Sequence, residues 1–405
     1  MKECLICRHE VQPFLSFGRM PVANAFLTEE EFGREYFFEL KVGFCPRCTA
    51  VQLLELVDRE RMFHENYAFF SSTSLRMADH FAAFAGEVMK TLKGPDPFVV
   101  EIGSNDGIML RHFASSGVRH LGVEPSANVA WEAQKRGVNT LCRFFDASVA
   151  AEIVALHGKA DAVLGANVMC HIPYLSSVFQ GVKTLLKPEG LFIFEDPYLG
   201  AIMEKTAYDQ IYDEHAFYFS LSAVSAAIAP YDLEVIDVKR QDVHGGSLRY
   251  LIGHRGVHPV GRAVEETRFA EEQAGLGRLE TYHEFRRRVE RSRDDLINLL
   301  EDLKGKGRCI AGYAATSKSA TVINYCGITR RHLDYISDTT PIKQGKFSPG
   351  AHIPVLSPSR FHEDPPDYAV LFGWNHKEEI MEKEREFTAR GGKWILYVPE
   401  VHVLP

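Results

Sequence analysis

The sequence predicts a three-part α/β chain, and three observations carry that prediction. Two C-x-x-C knuckles, Cys4-Leu-Ile-Cys7 and Cys45-Pro-Arg-Cys48, stand near the N-terminus. From residue 98 to about 235, short apolar runs alternate with amphipathic segments, the mark of parallel βαβ units. From Arg308 to Pro405 a second strand–turn–helix series follows. The expected parts are a knuckle module at 1–66, a first doubly wound unit at 67–235, a strand and helical connection at 236–304, and a second α/β unit at 305–405.

Each knuckle is a tight turn that points two thiolates at one place, which suits a tetrahedral Zn²⁺ held by Cys4, Cys7, Cys45 and Cys48. The 37 residues between the knuckles exceed the usual spacing. The other reading is four small apolar core cysteines. A zinc with four sulfur ligands leaves no position for water, so its expected role is structural. Between the knuckles, Phe38 to Phe44 alternates like a strand. Residues 58–93 read as helical, with Met77, Phe81, Phe84, Val88 and Leu92 at helical spacing. Within them, Asn66 to Ser74 is dense in hydroxyls and aromatics, which also suits a helix N-cap with a hydrophobic staple.

Val99 to Leu110, VVEIGSNDGIML, organises the first α/β unit. A strand runs into an acid-x-Gly turn, Glu101-Ile-Gly103-Ser104-Asn105-Asp106-Gly107, and a helix follows. Such a turn brings backbone N–H groups close to a ligand. The dinucleotide fingerprint would read G-x-G-x-x-G, and here an acid precedes the first of only two glycines. A carboxylate at that place accepts hydrogen bonds from a cationic amino-acid head group, so the turn reads as the S-adenosylmethionine (SAM) form. A second strand ends in Glu124-Pro125-Ser126, 17 residues after Gly107, where an acid accepts ribose hydroxyls. A plain N-terminal helix charge would read the same way. A fourth strand ends at Asn167, and Leu185-Leu-Lys-Pro-Glu-Gly190 turns into a fifth.

Residues 235–254 are strand-rich and end in His244-Gly-Gly-Ser-Leu-Arg249, where the glycine pair suits a close backbone approach or a simple turn. Residues 261–304 read as a charged amphipathic helix pair packing between domains. In the last unit, Cys309 to Lys318 reads as strand, turn and helix start, and Leu333 to Asp338 as a strand ending in an acid. The glycine fingerprint is missing, which sets NAD aside. Thr316, Ser317 and Lys318 at a helix N-terminus can hold phosphate, and Lys343, Lys346 and His352 in the following loops supply positive charge. Solvated loop charges are the plainer reading of these.

Lys+Arg 46 against Asp+Glu 54 gives a net charge of −8 with no basic run, which argues against nucleic acid. No uninterrupted apolar stretch approaches the roughly 20 residues needed to span a bilayer. MKECLICRHE lacks a signal-peptide core. A cytoplasmic monomer with no membrane partner is expected, its eight cysteines reduced or metal-bound.

The acid-x-Gly turn, the acid after strand two and L-K-P-x-G before strand five resemble a class I SAM-dependent methyltransferase. Gln210-Ile-Tyr212-Asp-Glu214-His215, EIGSNDG, Ala166 to Pro173, Phe194 to Leu199, the HGGSLR run and the knuckles extend this over essentially the whole chain. In that order they resemble the sugar-nucleotide C-methyltransferases of deoxysugar biosynthesis, which methylate C3 of a nucleotide-linked 4-keto-6-deoxyhexose. The resemblance implies a Rossmann-like central domain binding SAM through Glu101, Gly103, Ser104, Asn105, Gly107, Glu124, Pro125 and Asn167. It implies a second Rossmann-like C-terminal domain that helps hold a sugar nucleotide, with Lys318, Lys343 and His352 as contacts, together with Ser71 and Ser74. A C4 ketone makes the C3 proton removable, so such an enzyme needs a base, and histidine fits. His215 is the expected base, Glu214 and Tyr212 its orienting or hydroxyl-binding neighbours, and Tyr67 and His171 the contacts to the ketone or the opposite face. Transfer to a sugar oxygen or amine, or binding without catalysis, are the competing readings.

Overall fold

Alternating burial along the first strands makes the N-terminal module a small meander. The computed structural model describes residues 2–58, 62 and 75–405. Strand β1 (Gln12–Pro21) pairs antiparallel with β2 (Phe37–Phe44), which pairs antiparallel with β3 (Val51–Leu53). The second knuckle is the turn from β2 to β3 and the first precedes β1, so the long gap between knuckles is filled by this hairpin.

The central sheet contains β4 (Phe98–Ile102), β5 (Arg119–Val123), β6 (Thr140–Leu141), β7 (Ala160–Ala166) and β8 (Leu186–Pro197), all parallel. The two-residue β9 (Phe217–Tyr218) leaves this sheet and pairs with β3, stitching the module to the central domain. Then β10 (Leu233–Gln241) and β11 (Ser247–His254) close the central sheet, in the order β10-β11-β8-β7-β4-β5-β6. Strand β11 runs antiparallel to both neighbours. Read from β6, the order is that of class I SAM methyltransferases, doubly wound with the last strand inserted antiparallel. The boundary expected between 235 and 236 therefore falls inside β10. Residues 236–254, expected to open a connection, instead complete the central sheet, because the hairpin's partner is β8, about 50 to 60 residues upstream by pairing register.

Helix Leu75–Met89 lies against this sheet, burying Met77, Phe81, Phe84 and Val88, four of the five apolar positions read from the sequence; Leu92 lies beyond its end. The buried Arg249 guanidinium sits 3.6 Å over the Phe84 ring and bonds Glu195 through Nε at 2.9 Å. His80 bonds the other Glu195 oxygen at 2.7 Å. The HGGSLR arginine thus anchors this helix. The charged helix pair forms as Arg262–Gln273 and Leu279–Gly305. The longer helix buries Tyr282, Phe285, Val289, Leu296, Leu300 and Leu303 in a core shared by the N-terminal module and the C-terminal domain.

The C-terminal domain contains β12 (Ile310–Tyr313), β13 (Ile336–Ser337), β14 (Val355–Leu356), β15 (Tyr368–Leu371), β16 (Lys393–Leu396) and β17 (His402–Leu404). Their order is β14-β13-β12-β15-β16-β17, parallel except for the last. In such sheets ligands sit beyond the carboxyl ends of the strands at the switch of winding direction. Here both sheets present those ends, β4, β5 and β7 from one and β12, β13 and β15 from the other, to a single cavity of about 980 Å³.

Candidate active site

The zinc centre is built by two equivalent turns. In each, the first cysteine N–H donates to a carbonyl five residues on, Cys4 to His9 at 2.7 Å and Cys45 to Ala50 at 2.8 Å. A left-handed residue, Arg8 or Thr49, closes each turn. Cys4 Sγ lies 3.5 Å from Cys48 Sγ and Cys7 Sγ 3.5 Å from Cys45 Sγ, with all four sulfurs within 4.8 Å of one another. A tetrahedral Zn²⁺ with bonds of about 2.3 Å separates its sulfurs by about 3.8 Å, so this donor set fits zinc. A second group, Cys170, His171 and His215, is equally close. Both His215 nitrogens are already hydrogen-bonded, and burial with Asp196 beside it pushes the Cys170 thiol well up, which disfavours metal there.

The SAM half of the cavity follows from the turn after β4. Gly103 takes φ +67°, and a Cβ there would lie 2.5 Å from Val168 Cγ2. Gly103→Ala is expected to weaken SAM binding about tenfold or more, from left-handed strain of about 1–2 kcal/mol plus this clash. Unchanged affinity in titration calorimetry would contradict that. Glu124 accepts from Asn105 N at 3.0 Å and Ser126 N at 2.8 Å, locking the first turn to the second. Burial raises its pKa, and those two hydrogen bonds oppose the shift. Gly103, Asn105, Glu124, Pro125 and Asn167 line the cavity. Asn167 adopts φ +54°, and its buried Oδ1 has no hydrogen-bond partner among the described residues.

Three expected SAM contacts are not on that wall. Ser104 is buried against Gly122, and Gly107 packs over Val138 and Ala133 with φ +76°. Both shape the turn from behind. Glu101 is 3 % exposed and lies beneath the turn, since strand alternation gives the cavity face to Ile102. Burial, then Glu124 and Asp106, raise its pKa well above the carboxylate range. Its Oε2 is without a partner among the described residues, but from beneath the turn it does not face the cavity.

The other half carries a cluster of buried titratable side chains. Tyr212, Glu214 and His171 line the cavity. His215, 1 % exposed, stands behind Tyr212 and off the wall, a correction to the expectation that the imidazole itself meets the substrate. Its Nδ1 donates to the Gln210 carbonyl at 2.9 Å, which leaves Nε2 to accept from the Tyr212 hydroxyl at 2.9 Å. That tautomer is assigned from the acceptor at Nδ1. Burial, then His171 and Lys318, hold the His215 pKa well below the imidazole norm, and burial takes His171 down to about 4. Both rings are neutral at neutral pH. Burial and Asp213 raise the Glu214 carboxyl, which accepts from Asn24 Nδ2 at 2.6 Å. Asp213 accepts from Ala23 N at 2.9 Å. The N-terminal module therefore braces the loop that carries Asp213, Glu214 and His215.

At the far end, Thr316 caps the helix Ser317–Tyr325, and Lys318 lines the cavity with Asp209 as its counter-charge. Lys343 also lines it and donates to the Ala315 carbonyl at 2.8 Å. His352 does not. Its Nε2 bonds Glu35 at 2.8 Å and its ring stacks on Phe32 at 3.7 Å, so it ties the C-terminal domain to the N-terminal module. Tyr67, Ser71 and Ser74 lie outside the described residues. Sequence reasoning missed Asn24, for which no local signal exists, and His244, which the HGG run marked without assigning.

Three family models match the chain in series. They are described as "Putative zinc binding domain" over residues 4–63, "Methyltransferase domain" over 59–238 and "C-methyltransferase C-terminal domain" over 242–399. The C-methyltransferase NovU of Streptomyces niveus is 36% identical over 406 residues, covering 99% of this chain and 96% of its own. An uncharacterized methyltransferase of Mycobacterium leprae is 28% identical over 153 residues, 37% of this chain and 55% of its own. Among solved structures, the magnesium protoporphyrin IX methyltransferase ChlM of Synechocystis PCC 6803 with bound SAM covers 44% of this chain and 77% of its own, at 13% identity and a TM-score of 0.32.

Proposed function

Since this chain belongs to the SAM-dependent C-methyltransferases, we propose that it methylates C3 of a nucleotide-linked 4-keto-6-deoxy sugar. One observation carries the reading. The SAM turn, Tyr212 and a lysine-bearing helix N-terminus line the same cavity, with His215 hydrogen-bonded behind Tyr212. That spacing suits a two-part substrate, its anionic nucleotide in the C-terminal domain and its sugar beside the methyl donor.

The phenol of Tyr212 meets the sugar. Its oxygen takes the C3 proton as its own proton passes to His215 Nε2, and the C–H electron pair moves into an enediolate conjugated with the C4 oxygen. His215 holds the gained proton while Nδ1–H stays on the Gln210 carbonyl. The neutral His171 donates to the developing oxyanion, and Glu214, protonated by its buried setting, bonds a sugar hydroxyl. When bound, SAM supplies a sulfonium methyl to which C3 bonds as the thioether leaves. Lys318 and Lys343 offset the charge of the diphosphate.

Lys318→Met is expected to raise KM for the sugar nucleotide about tenfold or more while leaving SAM affinity unchanged, since it removes a charged hydrogen bond in the distal half only. Steady-state kinetics beside calorimetric SAM titration separates the two. The proposal itself is tested by mass spectrometry and ¹³C NMR on a panel of nucleoside-diphosphate 4-keto-6-deoxyhexoses incubated with ¹³C-methyl SAM. A methyl carbon bonded to C3 supports it. A methyl on oxygen or nitrogen, or no transfer to any member, overturns it.

A further inference from the structure

The glycine pair of the HGG run makes its close approach to protein rather than to a ligand. A Cβ at Gly245 would lie 2.5 Å from Trp374 Cη2, and one at Gly246, with φ +124°, 2.7 Å from the Ala201 Cβ. The turn is pinned on all sides. Lys205 Nζ donates to the Gly245 carbonyl at 2.7 Å, Tyr198 N to the Gly246 carbonyl at 3.0 Å, and Gln210 Nε2 to the His244 carbonyl at 2.5 Å. What this framework presents is the side chain of His244, held in left-handed backbone at φ +51° and lining the cavity.

Its surroundings locate it between the two halves of the site. The groups that act on it are Lys318 and His376 of the C-terminal domain, His80 of the helix Leu75–Met89, and His171 of the catalytic wall. Among the described residues neither ring nitrogen has a hydrogen-bond partner, and neither is sealed from the cavity. Gln210, which holds the His244 carbonyl with its amide, also accepts the His215 Nδ1–H with its own carbonyl. One residue therefore holds both the His244 backbone and the His215 imidazole.

We infer that His244 contacts the substrate, donating a hydrogen bond to the sugar-proximal phosphate where the diphosphate joins the sugar. The inference rests on the sugar-nucleotide reading of the cavity. Burial, reinforced by Lys318, holds the ring neutral, its pKa near 3, so it acts as a neutral donor alongside the lysine charge. A positioned donor at this junction sets how far the sugar reaches toward Tyr212. It would make His244 a determinant of substrate position that the catalytic cluster alone does not supply.

The test compares His244→Asn, which tolerates left-handed backbone but is too short to reach, with His244→Gln, which restores an amide donor at greater length. Nucleoside diphosphate, nucleoside monophosphate and SAM are titrated against each by calorimetry, and KM and kcat are measured for the sugar nucleotide. The expected result for His244→Asn is a loss of about 10- to 100-fold in diphosphate affinity, the range for a hydrogen bond to a charged group. Monophosphate and SAM affinities stay unchanged, and His244→Gln recovers part of the loss. Equal losses for all three ligands, or none for the diphosphate, would overturn the inference. So would a wild-type protein that binds no nucleoside diphosphate. Wild-type binding of diphosphate without methyl transfer would overturn the C3 reading while the titrations still decide the role of His244.

Discussion

Tyr212→Phe and His215→Ala are each expected to lower methyl transfer by about 10²-fold or more, the usual scale for acid–base groups, while SAM affinity stays within twofold of wild type. The double variant is expected to be little worse than either single one, because groups that act as a unit are not additive. The reason is the 2.9 Å hydrogen bond between the Tyr212 hydroxyl and His215 Nε2. Phenylalanine removes the only atom of that side chain able to touch both the substrate proton and the imidazole, and alanine removes the acceptor behind it. Neither side chain lies in the SAM half, so cofactor binding is a control within the same experiment. Single-turnover kinetics checks the result. A Tyr212→Phe enzyme with normal turnover would remove the relay and return the base role to direct contact by His215.

The second large effect concerns zinc. Cys4→Ser and Cys45→Ser are each expected to drop bound zinc from about one per chain to near zero and to lower the unfolding temperature sharply, since structural zinc binding is worth about 10–16 kcal/mol in small peptides. Activity is expected to fall with it, although the four sulfurs lie outside the cavity. The link is covalent in neither direction but specific. The module places Asn24 on Glu214 at 2.6 Å and Ala23 N on Asp213 at 2.9 Å, and β3 holds β9, which directly follows the catalytic loop. Elemental analysis, calorimetric unfolding and turnover on one preparation decide the matter. Zinc-free protein with wild-type turnover would reduce the module to an appendage.

Local chemistry was legible and distant pairing was not. The knuckles, the acid-x-Gly turn and Glu124 are read from runs of a few residues, and each of those runs folds into a local turn before Glu124 reaches Asn105 and the two knuckles meet. Lys318, at a recognisable helix start, and Lys343, in a loop after a strand, were also picked out from short runs, and both line the cavity. The relation of His215 to Tyr212 was not legible, because which of two buried rings meets the cavity depends on packing around both. Asn24 and Glu214 stand 190 residues apart, and no periodicity joins them. His352 looked free to bind an anion only because Glu35, 317 residues earlier, could not be placed beside it. The domain boundary failed for a similar reason: a hairpin shows its own pairing in sequence but not the sheet it closes.

In the proposed reaction, proton removal from C3 precedes the arrival of any methyl. Incubating the protein with a nucleoside-diphosphate 4-keto-6-deoxyhexose in D₂O without SAM, and reading the sugar by mass spectrometry and NMR, tests it most directly. Deuterium is expected at C3 with wild type, and that exchange is expected to be lost in Tyr212→Phe and His215→Ala. C-methylation of the same sugar with no wild-type exchange, or exchange that survives both substitutions, would contradict it.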